Sequence, residues 1–160
     1  MTDERIDLRG QVLDGEYRLG APIGVGGTSV VLECTRISDG SEAVVKVLRP
    51  QFAHHSDLER RLKREHEVCE RVRHPGIVPV TDSGLLRDGT PYLVMQRMRS
   101  ESLLRLIRRR GVLSANEAAV LMARIASILH AVHLGGYVHR DIKPENILLD
   151  RLADGSLHVS

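Results

Sequence analysis

Apolar positions follow a two-residue period through the first half of the chain and a helical period through much of the second. Tyr17–Ile23 predicts a first strand, with Pro22 pointing to a sheet edge or a strand end. Ser29–Arg36, carrying Val30, Val31 and Leu32, predicts a second. Ser38-Asp39-Gly40-Ser41 is a turn signal, and Glu42–Leu48 follows as a third strand with one lysine inside an apolar run. Ser56-Asp57-Leu58-Glu59 has the form of a capping box. The helix it would open carries Leu58, Leu62, Cys69 and Val72 on one stripe, and Glu65 falls on that stripe too. His74-Pro75-Gly76 closes it. Ile77–Val80 and Pro91–Met95 predict two further strands, separated by the turn Arg87-Asp88-Gly89-Thr90.

Leu103, Leu104 and Ile107 predict a short helix closed by Gly111. Ser114-Ala115-Asn116-Glu117 is a second capping box. Leu121, Ile125, Ile128 and Val132 repeat behind it at helical spacing, and neighbouring apolar residues widen that face almost all round. Such a helix is expected to be surrounded by protein. Residues 1–14 read as a polar, frayed lead-in. Strands with one inserted helix, then helices, then a loop and short strands make an α+β chain.

Composition narrows the partners. The 160 residues hold 23 Lys+Arg against 21 Asp+Glu, too even a balance to favour nucleic acid or an anionic membrane surface. Aromatics are Tyr17, Phe52, Tyr92 and Tyr137 alone, so platforms for stacking bases are missing. No stretch approaches 18 uncharged apolar residues, and the first ten residues lack the apolar core of a secretory signal, so neither a membrane segment nor a leader is expected. Cys34 and Cys69 form no CxxC pair and read as reduced thiols of a cytoplasmic chain.

Four features carry candidate chemistry. Gly24-Val25-Gly26-Gly27-Thr28-Ser29-Val30-Val31 sits between two predicted strands, where bare backbone can approach a polyphosphate; a plain glycine-rich hairpin fits as well. It is not a Walker A loop, and a strand rather than a helix follows it. Lys46 lies within Ala43-Val44-Val45-Lys46-Val47-Leu48, on the face of Val44 and Leu48; it either needs an anion or faces solvent at an edge. Glu65, on an apolar stripe, wants a cation, for which Lys46 is the candidate, unless it sits solvated at the stripe's edge. His139-Arg140-Asp141-Ile142-Lys143-Pro144-Glu145-Asn146 is dense in functional groups and runs into the apolar Ile147-Leu148-Leu149, which a solvated connector would not explain.

Together and in this order, the four resemble a eukaryotic-type (Hanks-type) serine/threonine protein kinase. Gly24-x-Gly26-x-x-Ser29-x-Val31 is similar to the family's glycine-rich loop, with Ser29 where a third glycine usually stands. Val44-Val45-Lys46 resembles the third-strand lysine motif, Glu65 the helix glutamate, and His139-Arg140-Asp141 with Asn146 the catalytic loop. Lys143-Pro144-Glu145-Asn146 favours the serine/threonine subtype. His74-Pro75-Gly76-Ile77-Val78 and Tyr92-Leu93-Val94-Met95 also resemble family segments.

The resemblance implies a small antiparallel-sheet lobe and hinge over 15–98 and part of a helical lobe over 99–160. It implies ATP and Mg²⁺ as cofactors and a protein Ser/Thr hydroxyl as acceptor. Lys46, Glu65, Asp141 and Lys143 would be catalytic, and Asn146 would bind the metal. Ile23, Gly24, Val25, Gly26, Gly27, Thr28, Ser29, Val31, Ala43, Lys46, Met95, Gln96, Met98 and Leu148 would line the nucleotide, with Met95 as gatekeeper. Arg140 would meet a phosphate on an activation loop. The sequence stops at Ser160, in a stretch that resembles the turn and strand leading into Asp-Phe-Gly. The chain is therefore expected to be an N-terminal portion of a catalytic domain, poorly active by itself and exposing apolar surface on the helix 117–133. The alternative is a non-catalytic nucleotide-binding or interaction module; a small-molecule phosphotransferase is disfavoured by Arg140 and Lys143-Pro144-Glu145.

Overall fold

The computed structural model describes residues 8–98, 100–151 and 157–159. Residues 1–7 of the expected lead-in and the expected Asp154-Gly155-Ser156 turn lie outside them. The chain divides into two compact units, residues 1–67 with 79–97, and residues 68–78 with 98–160.

The first unit is an antiparallel sheet of β1 (Val12–Leu13), β2 (Tyr17–Val25), β3 (Ser29–Arg36), β4 (Glu42–Leu48), β5 (Val80–Leu85) and β6 (Pro91–Gln96), in the order β1-β2-β3-β4-β6-β5. Turn chemistry sets its registers. Ser41 N donates to Asp39 Oδ1 (2.8 Å) beside Gly40 at φ 72°, which closes β3 onto β4. Thr90 N donates to Asp88 Oδ1 (2.9 Å) beside Gly89 at φ 84°, which closes β5 onto β6. One face of the sheet buries Leu19, Val30, Leu32, Cys34, Val45, Val47, Tyr92 and Val94 in a single cluster. On the other face Leu48 and Leu93 pack with Leu62 of α1 (Ser56–Arg71), and Leu58 and Val80 border them. Strand alternation thus separates an apolar interior from a helix-bearing face, and Lys46 is on the second.

Three expectations for this unit are corrected. The part of the lead-in that is described is tied down: β1 pairs with Arg18 and Tyr17, Leu13 is buried, and the Tyr92 hydroxyl donates to Asp14. Ile77–Val80 is not a strand. The sheet begins at Val80, because Pro79 has no N–H to give to a ladder, and Ile77 instead joins an apolar cluster of the second unit. Ser56 is the first residue of α1 rather than its cap; the His55 carbonyl accepts from Leu58 and Glu59 N–H. Pro22 lies between two register shifts on β2, beyond the reach of the two-residue β1, so it occupies an edge as expected.

The second unit holds β7 (Glu101–Ser102), β8 (Leu148–Arg151) and β9 (Leu157–Val159) as a small sheet, with α2 (Leu103–Arg110) and α3 (Ala115–Leu134). Leu103, Leu106, Leu121, Ile125, Ile147, Leu149 and Val159 form its core. Gly111, at φ 82°, ends α2 with its N–H on the Ile107 carbonyl. The capping box at α3 is complete: Glu117 N donates to Ser114 Oγ (3.2 Å) and Ser114 N donates to Glu117 Oε2 (3.0 Å). The stripe of Leu121, Ile125, Ile128 and Val132 faces inward, while Val120 and Met122, on the flanks of Leu121, are exposed. Among the described residues α3 is the helix long and apolar enough to cross a membrane by length and composition, where no membrane segment is expected from the sequence. It carries Glu117 and Arg124, and its apolar stripe packs against the second unit's sheet and α2.

The cap has a pH signature. The Arg110 guanidinium, then the backbone and hydroxyl of Ser114, hold the Glu117 carboxyl down at about 2. A depressed folded-state pKa gives stability that is present above the unfolded pKa and lost as pH falls through the folded one. Glu117→Gln is therefore expected to lower Tm at pH 7, with the gap to the unmodified chain closing only as pH falls from about 4 towards 2. Thermal melts of both chains across that range check it.

Candidate active site

Lys46 is held by β4 in a row across the sheet, with Val31 of β3 on one side and Leu93 of β6 on the other. Its face receives α1, and the helix stripe that seats Leu62 three residues earlier delivers Glu65. Lys46 Nζ donates to Glu65 Oε1 (2.8 Å) and Oε2 (2.6 Å). The side chains are 26% and 39% exposed, so the pair is shielded yet open to a ligand. A two-oxygen grip uses the carboxylate to aim the ammonium and leaves its remaining donor for another anion.

The glycine segment turns β2 into β3. Gly24 pairs with Val31, and Gly26 N donates to the Ser29 carbonyl (2.8 Å). None of Gly24, Gly26 and Gly27 has a positive φ, and a Cβ at Gly27 would meet nothing within 4 Å. Neither backbone conformation nor packing inside the chain requires glycine at Gly27. Bare backbone of this kind admits a bulky anionic group.

In the second unit Asp141 is the centre of a tight hydrogen-bonded loop. Lys143 Nζ lies 3.0 Å from Asp141 Oδ1. Asn146 Nδ2 donates to Asp141 Oδ2 (2.8 Å) and to the Asp141 carbonyl (3.0 Å), and Asp141 N donates to His139 Nδ1 (3.3 Å). Pro144–Asn146 is a single 3₁₀ turn with proline at its start, which sets Asn146 back over Asp141. Partial burial pushes the Asp141 carboxyl up, but the hydrogen bonds from Lys143 and Asn146, with the charge of Lys143 and of His139, outweigh it and hold the group below its usual range. Asp141 is thus an ionised acceptor at neutral pH. Arg140 sits at φ 62°, a left-handed conformation that costs a non-glycine residue energy and is found where function fixes the backbone.

A family model described as protein kinase domain matches residues 17–160. The chain belongs to the protein kinase domain family. It is 38% identical over 142 residues to a probable serine/threonine-protein kinase, CE0033, of Corynebacterium efficiens, covering 87% of this chain and 22% of that protein. It is 33% identical over 151 residues to the serine/threonine-protein kinase PknH of Mycobacterium tuberculosis, covering 94% of this chain and 24% of that protein. Among solved structures, the PknI kinase domain of Mycobacterium tuberculosis in a C20A_R136A double mutant matches with a TM-score of 0.80 at 25% identity, over 95% of this chain and 59% of that one. The chain spans about a quarter or less of these curated relatives and about three fifths of the solved domain.

Within this member of the protein kinase domain family the structure brings together Lys46 with Glu65, and Asp141 with Lys143 and Asn146. Val31 and Met95 share the face of Lys46, Met95 through its pairing with Val44. Ala43 does not: it belongs to the buried cluster with Val45 and Val47, on the opposite face. Gln96 pairs with Ala43, and its N–H is taken by the Pro79 carbonyl. Val44 is the β4 residue that shares the lysine's face, opposite Met95. Two-residue alternation already signals it, one position from the expected Ala43. The ion pairs of Arg97 left no signal in the sequence: its Nη2 donates to Glu33 Oε1 (2.6 Å) and its Nη1 lies 3.4 Å from Glu42 Oε1, which fastens the residue after β6 to β3 and β4. Ile23 and Val25 are exposed beside the glycine turn, and Leu148 and Met98 are half-buried in the second unit.

Proposed function

We propose that the chain is the nucleotide-binding and catalytic-loop part of an ATP-dependent serine/threonine protein kinase, which moves the γ-phosphoryl group to a protein hydroxyl. The observation that carries the reading is the two-oxygen Lys46–Glu65 pair on the sheet face beside the glycine turn. Protein kinases as a family use ATP and Mg²⁺, and family membership supports the same pair of cofactors here.

The residues present suit both. Lys46 offers a cation to the α- and β-phosphates, and Glu65 keeps it from wandering. Ile23, Val25 and Val31, with Val44 in place of Ala43, are the apolar candidates for the adenine on the first unit. Gly24–Ser29 would cover the phosphates, and Met95, Gln96 and Met98 would form the hinge. Asn146 uses its amide nitrogen on Asp141, which leaves its carbonyl oxygen as a hard donor for Mg²⁺. When bound, the ion neutralises phosphate charge and orients the γ-phosphate. Asp141 accepts the hydrogen bond of the acceptor hydroxyl, and Lys143, already beside that carboxylate, offers positive charge to the group in flight. Cys34 and Cys69 are not joined in a disulfide, which supports a cytoplasmic setting.

The test is a calorimetric titration of MgATP into the chain, with a serine- or threonine-containing peptide then added to follow phosphate incorporation. Saturable MgATP binding is expected. Its absence, with GTP and other nucleotides equally inert, overturns the reading. Saturable binding with whatever transfer is seen left unchanged by substitution of Asp141 favours the interaction module instead.

A further inference from the structure

α2 carries Arg105, Arg108, Arg109 and Arg110 within eight residues. Two are neutralised: Arg109 Nη2 lies 2.5 Å from Glu101 Oε1, and Arg110 Nη1 lies 2.7 Å from Glu117 Oε1. Arg105 and Arg108 are exposed and have no acidic partner among the described residues. Three positions apart, they share one face of the helix, with Cβ atoms about 5–6 Å from each other. The opposite face is fixed by burial of Leu103 and Leu106.

The helix is anchored to the catalytic loop inside one unit. Leu103 N donates to the Ile147 carbonyl (2.8 Å), and Ser102 pairs with Leu148. α2 therefore lies beside the Pro144–Asn146 turn that holds Asp141. At 1.5 Å of rise per residue, Arg105 and Arg108 are only about 3 and 8 Å along the axis from the anchored end. An acceptor segment engaged at Asp141 has these two guanidiniums within a few residues' reach.

We propose that Arg105 and Arg108 recruit an acidic stretch of the protein substrate, Asp or Glu residues close in sequence to the acceptor serine or threonine. The inference rests on the kinase reading above and names the substrate class of that site. Guanidinium forks match carboxylates in a bidentate way, and a pair on one helix turn selects two acidic residues over one. A nucleic acid is the poorer occupant, because Tyr137, the one aromatic residue in the sequence of this unit, is buried and offers no stacking platform. An anionic bilayer is poorer too, since two unneutralised cations fall short of the about four to eight that hold a segment on lipid.

Labelled serine peptides, one flanked by Asp and Glu and one with Asn and Gln in their place, are titrated with the full chain by fluorescence anisotropy. The same is done with R105E/R108E and with R105K/R108K, and MgATP affinity is measured in parallel for all three. The unmodified chain is expected to prefer the acidic peptide about tenfold. R105E/R108E loses the preference, R105K/R108K keeps only part of it because the charge stays while the bidentate fork is lost, and MgATP affinity is the same in all. The proposal is overturned if the unmodified chain binds both peptides alike, or if R105E/R108E still prefers the acidic one. It is also overturned if anionic vesicles, but not the acidic peptide, distinguish R105E/R108E from the unmodified chain. A peptide preference that persists in a chain with no MgATP binding leaves the docking face standing and overturns the kinase reading.

Discussion

Asp141→Asn is expected to lower phosphoryl transfer to a serine- or threonine-containing peptide about 10²- to 10⁴-fold while MgATP affinity changes by less than about twofold. The side chain is more than half exposed, and an amide oxygen can keep one of the two bonds from Lys143 and Asn146; the bond from Asn146 to the Asp141 backbone carbonyl does not depend on the side chain and still ties the loop. What disappears is the negative charge that accepts the hydroxyl proton. The direction of the Asp141 shift adds a pH consequence. Its carboxyl, held below the usual range by Lys143 and Asn146 against the opposing effect of burial, stays ionised in mild acid. The transfer rate should therefore hold down to a lower pH than an ordinary aspartate would allow. Initial rates of phosphate incorporation against pH, for both chains, check the two statements together. Equal rates for Asp141→Asn and the unmodified chain would remove Asp141 from the chemistry and return the loop to a purely structural role.

Local chemistry made much of this chain legible. The Ser38–Ser41 turn and the alternation around it gave β3 and β4 their ends, and Ser114 with Glu117 announced α3. Glu65 was legible because its position followed from the stripe of Leu58 and Leu62, and Lys46 because it interrupted an apolar strand. Interactions far apart in sequence were not legible. Two-residue strands such as β1 and β7 exist only through their partners, and the Asp14–Tyr92 bond joins positions 78 residues apart. The Glu33–Arg97 bridge spans 64 residues and leaves no local signal. Ile77–Val80 read as a strand because its apolar residues satisfy either environment, and only packing on Val72 and Tyr137 decides between them. Ala43 failed for a different reason. It was assigned by likeness to a motif, although the alternation that puts Lys46 beside Val44 turns Ala43 inward with Val45 and Val47.

Lys46→Met is expected to weaken MgATP binding about 10- to 100-fold, and the size follows from two losses that act together. The first is a charge-assisted contact to phosphate, worth about 1.5–3 kcal/mol when one partner is ionised. The second is the orphaning of Glu65, whose carboxylate is 39% exposed and would then face a polyphosphate with its cation gone. Glu65→Gln removes the positioning alone and leaves the ammonium in place, so its loss should be smaller, about three- to tenfold. The double variant K46M/E65Q then separates the two causes. If repulsion from the orphaned carboxylate contributes, the double variant binds MgATP more tightly than Lys46→Met alone, a coupling that independent sites would not produce. Calorimetric titration of the four chains measures the cycle directly. Unchanged affinity in Lys46→Met would show that the pair braces α1 against β4 and holds no nucleotide, and the assignment of the glycine turn above it as a phosphate cover would fall with it.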